Sequence, residues 1–256
     1  MVYIQRSRGY SLRPSLSVEE IGRIADAAKA QNPNVIVMVD NCYGEFVEKR
    51  EPTEVGADLV AGSLIKNPGG GIARTGGYIA GRSDLVEQCA YRLTTPGLGR
   101  EVGATLGFNR ELYMGLYFAP HVVGEALRAA VFTAAFYTQF GYDVTPRYDE
   151  ARCDIVQSIG LENEESLVAF CQGIQSGSYI DSFVAPVPWD MPGYDSQVVM
   201  AAGAFTLGSS IELSADAPIR PPYYAWAQGG LTYHGSKICA MIAAQKLLER
   251  GLLKNV

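Results

Sequence analysis

Ser17-Val18-Glu19-Glu20 has the spacing of a capping box, and behind it Ile21, Ile24, Ala25 and Ala28 recur on one face at helical period. The pattern predicts a helix to about Gln31, ended by Asn32-Pro33-Asn34. The next run, Val35-Ile36-Val37-Met38-Val39, is apolar at every position, so it predicts a strand covered on both faces, as in a parallel sheet, ending at Asp40. A turn of helix near Pro52 to Val55 leads to Asp58-Leu59-Val60-Ala61-Gly62, a second short apolar segment that ends at Ser63-Leu64-Ile65-Lys66. Helix, strand, helix, strand is the rhythm of an α/β sheet.

Asn67-Pro68-Gly69-Gly70-Gly71 reads as a loop and Gly77-Tyr78-Ile79-Ala80-Gly81 as a strand, after which Ser83 can cap a helix through Leu93. Beyond a flexible break at Thr95-Pro96-Gly97-Leu98-Gly99, a helical pattern covers residues 103–140, is broken near Pro120, and predicts a bridge between domains. From Gly141 the texture changes. Strands are expected at 182–185, 197–205 and 210–213 and helices at 164–175 and 235–250, which together make an α+β unit. The boundary falls near residue 140, giving domains 1–140 and 141–256.

With 256 residues, 48% of them hydrophobic and 19% charged, the chain has enough apolar surface for one large or two modest cores. Lysine and arginine total 21 against 27 aspartates and glutamates, and the net charge of −6 excludes diffuse attraction to nucleic acid or anionic lipid. No membrane span is expected, because the most apolar stretch, 115–140, is interrupted by Pro120, His121, Glu125 and Arg128. Cys42, Cys89, Cys153, Cys171 and Cys239 are scattered and odd in number, which argues against a disulfide framework or a zinc site and predicts a reducing, cytoplasmic setting. Residues 1–10 lack the apolar core of a secretory signal.

In an open α/β sheet, ligands collect at the carboxyl ends of the strands, and here two successive strand candidates end in Asp40 and Lys66. Pyridoxal phosphate needs that pair: an amine to form a Schiff base, and a carboxylate to keep the pyridine nitrogen protonated. Desolvation would also disfavour the ammonium form, leaving the lysine free to condense with an aldehyde and to move protons. Ser63 can offer its hydroxyl and N–H to a phosphate, and Gly69, Gly70 and Gly71 allow backbone to approach a ligand. Each residue has an ordinary alternative: a solvated lysine, an aspartate capping a turn, a mobile glycine turn. A P-loop reading fails because Lys66 precedes the glycines.

Ser63-Leu64-Ile65-Lys66-Asn67-Pro68-Gly69-Gly70-Gly71 resembles the Ser-x-x-Lys-x-x-Gly-Gly signature of the cysteine and methionine metabolism enzymes, and Asp40-Asn41-Cys42-Tyr43 resembles their Asp-Asn-Thr-Phe segment. Together with Glu212-Leu213-Ser214-Ala215-Asp216 and Gly229-Gly230-Leu231-Thr232-Tyr233, these segments make the chain similar, over essentially its whole length, to the methionine gamma-lyase-related aluminium resistance proteins. The resemblance implies an α/β, fold type I, pyridoxal-phosphate-dependent enzyme of the aspartate aminotransferase kind. Its large-domain part would have a mainly parallel sheet, followed by a C-terminal α+β small domain.

By that resemblance, Lys66 carries pyridoxal 5'-phosphate, Asp40 pairs with its pyridinium nitrogen, Ser63 contributes to the phosphate site and Cys42 lies among the cofactor-binding residues. Arg220, in Pro218-Ile219-Arg220-Pro221-Pro222-Tyr223, matches the arginine that holds a substrate carboxylate, a task suited to a planar guanidinium. It also reads as a surface arginine, Cys42 as a small core thiol and His234 as a solvated imidazole. Gln5-Arg6-Ser7-Arg8-Gly9-Tyr10 resembles a motif near the cofactor face, without indicating which side chain points inward. Relatives carry further large-domain sequence before the equivalent of Val2, including a glycine-rich phosphate loop and a stacking aromatic residue, so an N-terminally truncated chain with uncovered sheet edges is expected. The expected activity is β- or γ-elimination from a sulfur-containing amino acid, in an intact form that is a homo-oligomer. Transamination or decarboxylation is the alternative within the same chemistry, and a non-catalytic remnant that binds a partner is the alternative outside it.

Overall fold

A computed structural model describes residues 1–95, 97–101, 103 and 105–255. The chain opens with β1 (Val2–Gln5), α1 (Val18–Gln31), β2 (Val37–Asp40), β3 (Leu59–Ser63) and β4 (Gly77–Gly81), which form a sheet in the order β1-β2-β3-β4. The first three strands are parallel and β4 is antiparallel to β3. The capping box starts α1 as expected: the Glu20 N–H donates to the Ser17 hydroxyl at 3.1 Å and the Ser17 N–H donates to Glu20 at 2.8 Å. Its apolar face, Ile21 and Ala25, packs on Ile4, Val37, Val39 and Val60.

The cover of β2 is one-sided, against expectation. Val37 and Val39 are buried under α1, whereas Met38 and Asp40, which alternate to the other face, are only half-buried. β1 went unpredicted because four residues with exposed Tyr3 carry too little periodicity.

Next come α2 (Ser83–Leu93) and α3 (Asn109–Gln139). Arg82, not Ser83, holds the N-cap position of α2, and no side chain caps that end. Within the expected break and the expected start of the long helix, Pro96, Val102 and Ala104 lie outside the described residues. α3 begins later than residue 103 and is continuous through Pro120. Pro120 and Leu116 are both exposed, so water can take the carbonyl that the proline leaves without a donor.

The remaining elements are β5 (Asp143–Thr145), β6 (Val156–Gly160), α4 (Glu164–Gly177), β7 (Val198–Ala201), β8 (Ser214–Pro218), β9 (Tyr224–Gln228) and α5 (Tyr233–Glu249). The strands form an antiparallel sheet in the order β5-β6-β9-β8-β7. α4 and α5 cover one face, with Leu167, Phe170, Ala243 and Leu247 meeting Val199, Ala215, Ala217 and Ala225. The two helices approach closely at Gly173, where a Cβ would lie 2.4 Å from the Ala243 backbone.

Three strand expectations need correction here. Residues 182–185 form no strand and Phe183 is 85% exposed; 197–205 shortens to Val198–Ala201; and 210–213 gives way to Ser214–Pro218. β8 and β6 are buried at every position yet read Ser-Ala-Asp-Ala-Pro and Val-Gln-Ser-Ile-Gly, so their polar residues hide them from a hydrophobic pattern. Among the described residues no helix is long and apolar enough to cross a membrane.

Candidate functional site

The sheet register places Asp40 beside Ala61, and alternation along β3 puts Ser63 on the same face. The Asp40 carboxylate is fixed at both oxygens: Oδ1 accepts from the Cys42 N–H at 3.1 Å and Oδ2 from the Tyr3 hydroxyl at 3.2 Å. Lys66 follows β3 by three residues, and its N–H donates to the Ser63 carbonyl at 3.3 Å. Its ammonium lies 4.2 Å from the centroid of the Tyr43 ring, a cation–π contact.

Burial pulls the Lys66 pKa down, but Tyr43, Cys42 and Asp40 outweigh it, so the net shift is upward. That reverses the expected depression: the protein groups around the amine favour its charged form more than desolvation opposes it. Asp40 is among those groups, so its charge reaches the amine.

Lys66 and Tyr43 line a cleft of about 260 Å3, completed by Tyr10 and, from the second sheet, by Ser214, Asp216 and Gln228. A second pocket of about 190 Å3 adjoins it, sharing Tyr10, Tyr43, Asp216 and Gln228 and adding Tyr194 and Trp226. Tyr43 occupies a left-handed backbone conformation, φ 71°, which an aromatic residue adopts only where its surroundings hold it. Here the Ser210 hydroxyl donates to the Tyr43 hydroxyl at 3.2 Å.

Asp216 is buried in β8, where its Oδ2 accepts from the Gln228 amide at 3.1 Å and its Oδ1 has no partner. Burial pushes its pKa up to about 6; Gln228, Tyr10 and Lys66 offset this only in part. Tyr10, Tyr43 and Asp216 were not singled out as site residues. The one signal that could have found them is position, since all three lie inside the segments that carry the family resemblance.

The remaining sequence candidates are placed as follows. Ser63 is half-buried at the end of β3 and does not line the cleft. Cys42 is half-buried, and burial above all raises its thiol to about 11, so it is not a thiolate near neutrality. Arg220 is exposed beyond β8 and donates to the Tyr10 carbonyl at 3.4 Å, outside the cleft lining. His234 is exposed in the first turn of α5.

Gly69, Gly70 and Gly71 pack against the protein itself rather than border the cleft. A Cβ at Gly69 would meet the Leu64 carbonyl at 1.6 Å, one at Gly70 the Gly115 carbonyl of α3 at 2.7 Å, and one at Gly71 the Leu231 side chain at 2.3 Å. In the amino-terminal motif, Arg6 and Arg8 are buried and tied to Asn41, Glu48 and Ser158, while Tyr10 reaches the cleft.

The sequence model of the methionine gamma-lyase family matches residues 1–248. The chain is 52% identical over 253 residues to an uncharacterized protein, YnbB, of Bacillus subtilis (strain 168), a match covering 99% of this chain and 60% of that protein. A solved carbon–sulfur lyase involved in aluminium resistance from Clostridium novyi NT superposes with a TM-score of 0.90 at 54% identity, covering 96% of this chain and 57% of that one. The chain thus spans less than two thirds of the length of these relatives. The pyridoxal-5'-phosphate-dependent protein YhfS of Escherichia coli superposes with a TM-score of 0.58 at 12% identity, covering 96% of this chain and 62% of that one. At that identity the likeness is one of fold, that of fold type I pyridoxal-phosphate-dependent enzymes.

Proposed function

The chain belongs to the methionine gamma-lyase family, and from that premise we propose that it forms the lysine-bearing part of a pyridoxal-phosphate-dependent carbon–sulfur lyase. The substrate would be a sulfur-containing amino acid and the reaction a β- or γ-elimination. One observation carries the reading: a half-buried primary amine, Lys66, opens into a cleft beside an aromatic ring, with the oriented carboxylate of Asp40 close enough to act on its charge.

This donor set fits the cofactor, which needs an amine for its aldehyde and a carboxylate for its ring nitrogen. Lys66 and Asp40 would hold it at those two points, and Ser63, on the same sheet face as Asp40, would contribute to holding its phosphate. When bound, the cofactor supplies an electron-withdrawing ring that accepts the pair left when a proton leaves the substrate carbon.

The chain's own residues do the rest. Lys66 Nζ is the proton carrier of the cleft, and Tyr43, under it, restricts where the amine can go. Cys42 and Tyr3 keep both oxygens of Asp40 in place, so its negative charge is presented in one orientation. Arg220, anchored on the Tyr10 carbonyl at the rim, would meet the substrate carboxylate.

Adding pyridoxal phosphate to the protein should give a visible absorption band that survives gel filtration in wild type and is missing in Lys66→Ala. Equal bands in both would remove Lys66 from the role. Release of a keto acid and ammonia from a sulfur amino acid supports elimination, whereas an amino-group exchange without ammonia would point to transamination.

A further inference from the structure

The pocket that adjoins the Lys66 cleft has aromatic walls and an acidic end. Tyr10 lies with its ring centroid 5.4 Å from both Tyr194 and Trp226, so three rings form one continuous wall, and Tyr43 stands nearby. Asp216 is 7% exposed, with Oδ1 unpartnered. Its other oxygen is held by Gln228, whose amide is itself steadied by the Ser214 oxygen at 2.6 Å across the β8–β9 ladder.

A buried carboxylate oxygen without a donor costs free energy, and a ligand that supplies the donor recovers it. Aromatic faces next to such an oxygen attract cations, preferably ones that shed water easily. Lys66 is a cation whose charge acts on Asp216, and it sits over Tyr43.

We propose that this pocket is a subsite for a protonated amine at the far end of the substrate side chain. The preferred substrates are then sulfur amino acids whose departing arm carries an ammonium group. An arm ending in a carboxylate is repelled by Asp216, and an apolar arm leaves Oδ1 unpaired, so the pocket selects by charge as well as by size. The assignment of the arm rests on the lyase reading, which places the reacting end at Lys66; the affinity of the pocket for an ammonium group does not.

The probe pair that separates the two is n-butylammonium chloride and n-butanol, titrated at constant ionic strength and followed by the fluorescence of Trp226 in the pocket wall. Wild type should bind butylammonium about tenfold more tightly than butanol. Asp216→Asn should lose about that factor for butylammonium and leave butanol unchanged. Lys66→Ala should keep the discrimination while losing the cofactor band.

Equal affinity of wild type for the two probes, or an undiminished response in Asp216→Asn, overturns the subsite; the wild-type pair decides alone if the variant does not fold. Discrimination that persists in a protein unable to retain pyridoxal phosphate would sink the lyase reading and leave the subsite standing. Because burial holds Asp216 at about 6, butylammonium affinity should also fall as pH drops through that value. Tyr10, Tyr43 and Lys66, which face it, all have raised pKa values and keep their protons there.

Discussion

Asp58, immediately before β3, and Asp216, in the middle of β8, are both buried aspartates, yet their surroundings treat them in opposite ways. Asp58 Oδ2 accepts from the Val37 N–H at 2.8 Å, and Oδ1 accepts from Lys29 at 3.2 Å and Arg82 at 3.3 Å. Burial raises its pKa, but those donors together outweigh burial and leave it below the ordinary carboxylate range. Asp216 has the Gln228 amide on Oδ2 and the Tyr10 hydroxyl nearby, too little to offset burial, which leaves it at about 6. A buried charge whose bonds close within the chain ties the fold together; one left open beside a cleft is available to a ligand.

The comparison breaks most visibly at Asp58. Asp58→Ala leaves the Val37 N–H without its acceptor and Lys29, which keeps the Gly56 carbonyl, without this counter-charge, and urea unfolding should show a loss of about 3 kcal/mol. A loss near zero would mean that its bonds do not hold the first sheet.

Asp216→Asn should move stability the other way. The upward shift corresponds to about 3 kcal/mol of strain above neutrality, part of which the change at Gln228 takes back, so a gain of about 1–2 kcal/mol near pH 7.5 is expected. The sign follows from proton binding. Folded Asp216 holds its proton more tightly than the unfolded chain, so its cost is fully present above about 6 and fades as pH falls toward the ordinary aspartate value. The advantage of Asp216→Asn should therefore shrink over that window in a series of urea melts. Asp58 behaves inversely: its contribution is complete above the unfolded value and is lost only as pH falls through its lowered folded value. A variant advantage that stays constant with pH would show that Asp216 is not charged in the folded protein.

The smallest effect belongs to the glycine loop, a third region that behaves like the Asp58 side of the comparison. Gly71 has φ 72° and abuts Leu231, so Gly71→Ala should cost about 1 kcal/mol in unfolding while the cofactor band is retained. A lost band with unchanged stability would return the loop to the ligand.

Much of the first sheet was legible because its signals are local. The Ser17 box, the apolar run before Asp40 and the segment before Lys66 each need fewer than ten neighbouring residues to be read. The second sheet was not legible in the same way. β6, β8 and β9 bury Gln157, Ser158, Asp216 and Gln228, and residues of that kind in sequence predict exposure. Arg6 and Arg8 were visible as a motif, but only their partners 35 to 150 positions away show that they brace the structure.

The sequence by itself determined where α1 begins, that an aspartate closes one strand, and, through the resemblance carried by those segments, the family, whereas Lys66, expected at a strand end, lies three residues past β3. Only the tertiary structure decided that Gly69–Gly71 pack against α3 and Leu231, that Lys66 is held in its charged form, and that Asp216 faces the same cleft with one oxygen free. The reason is physical: helix caps and strand runs depend on neighbours in the chain. The charge state of a buried group depends on how many donors and how much water reach it, which is fixed by residues brought together from opposite ends of the sequence.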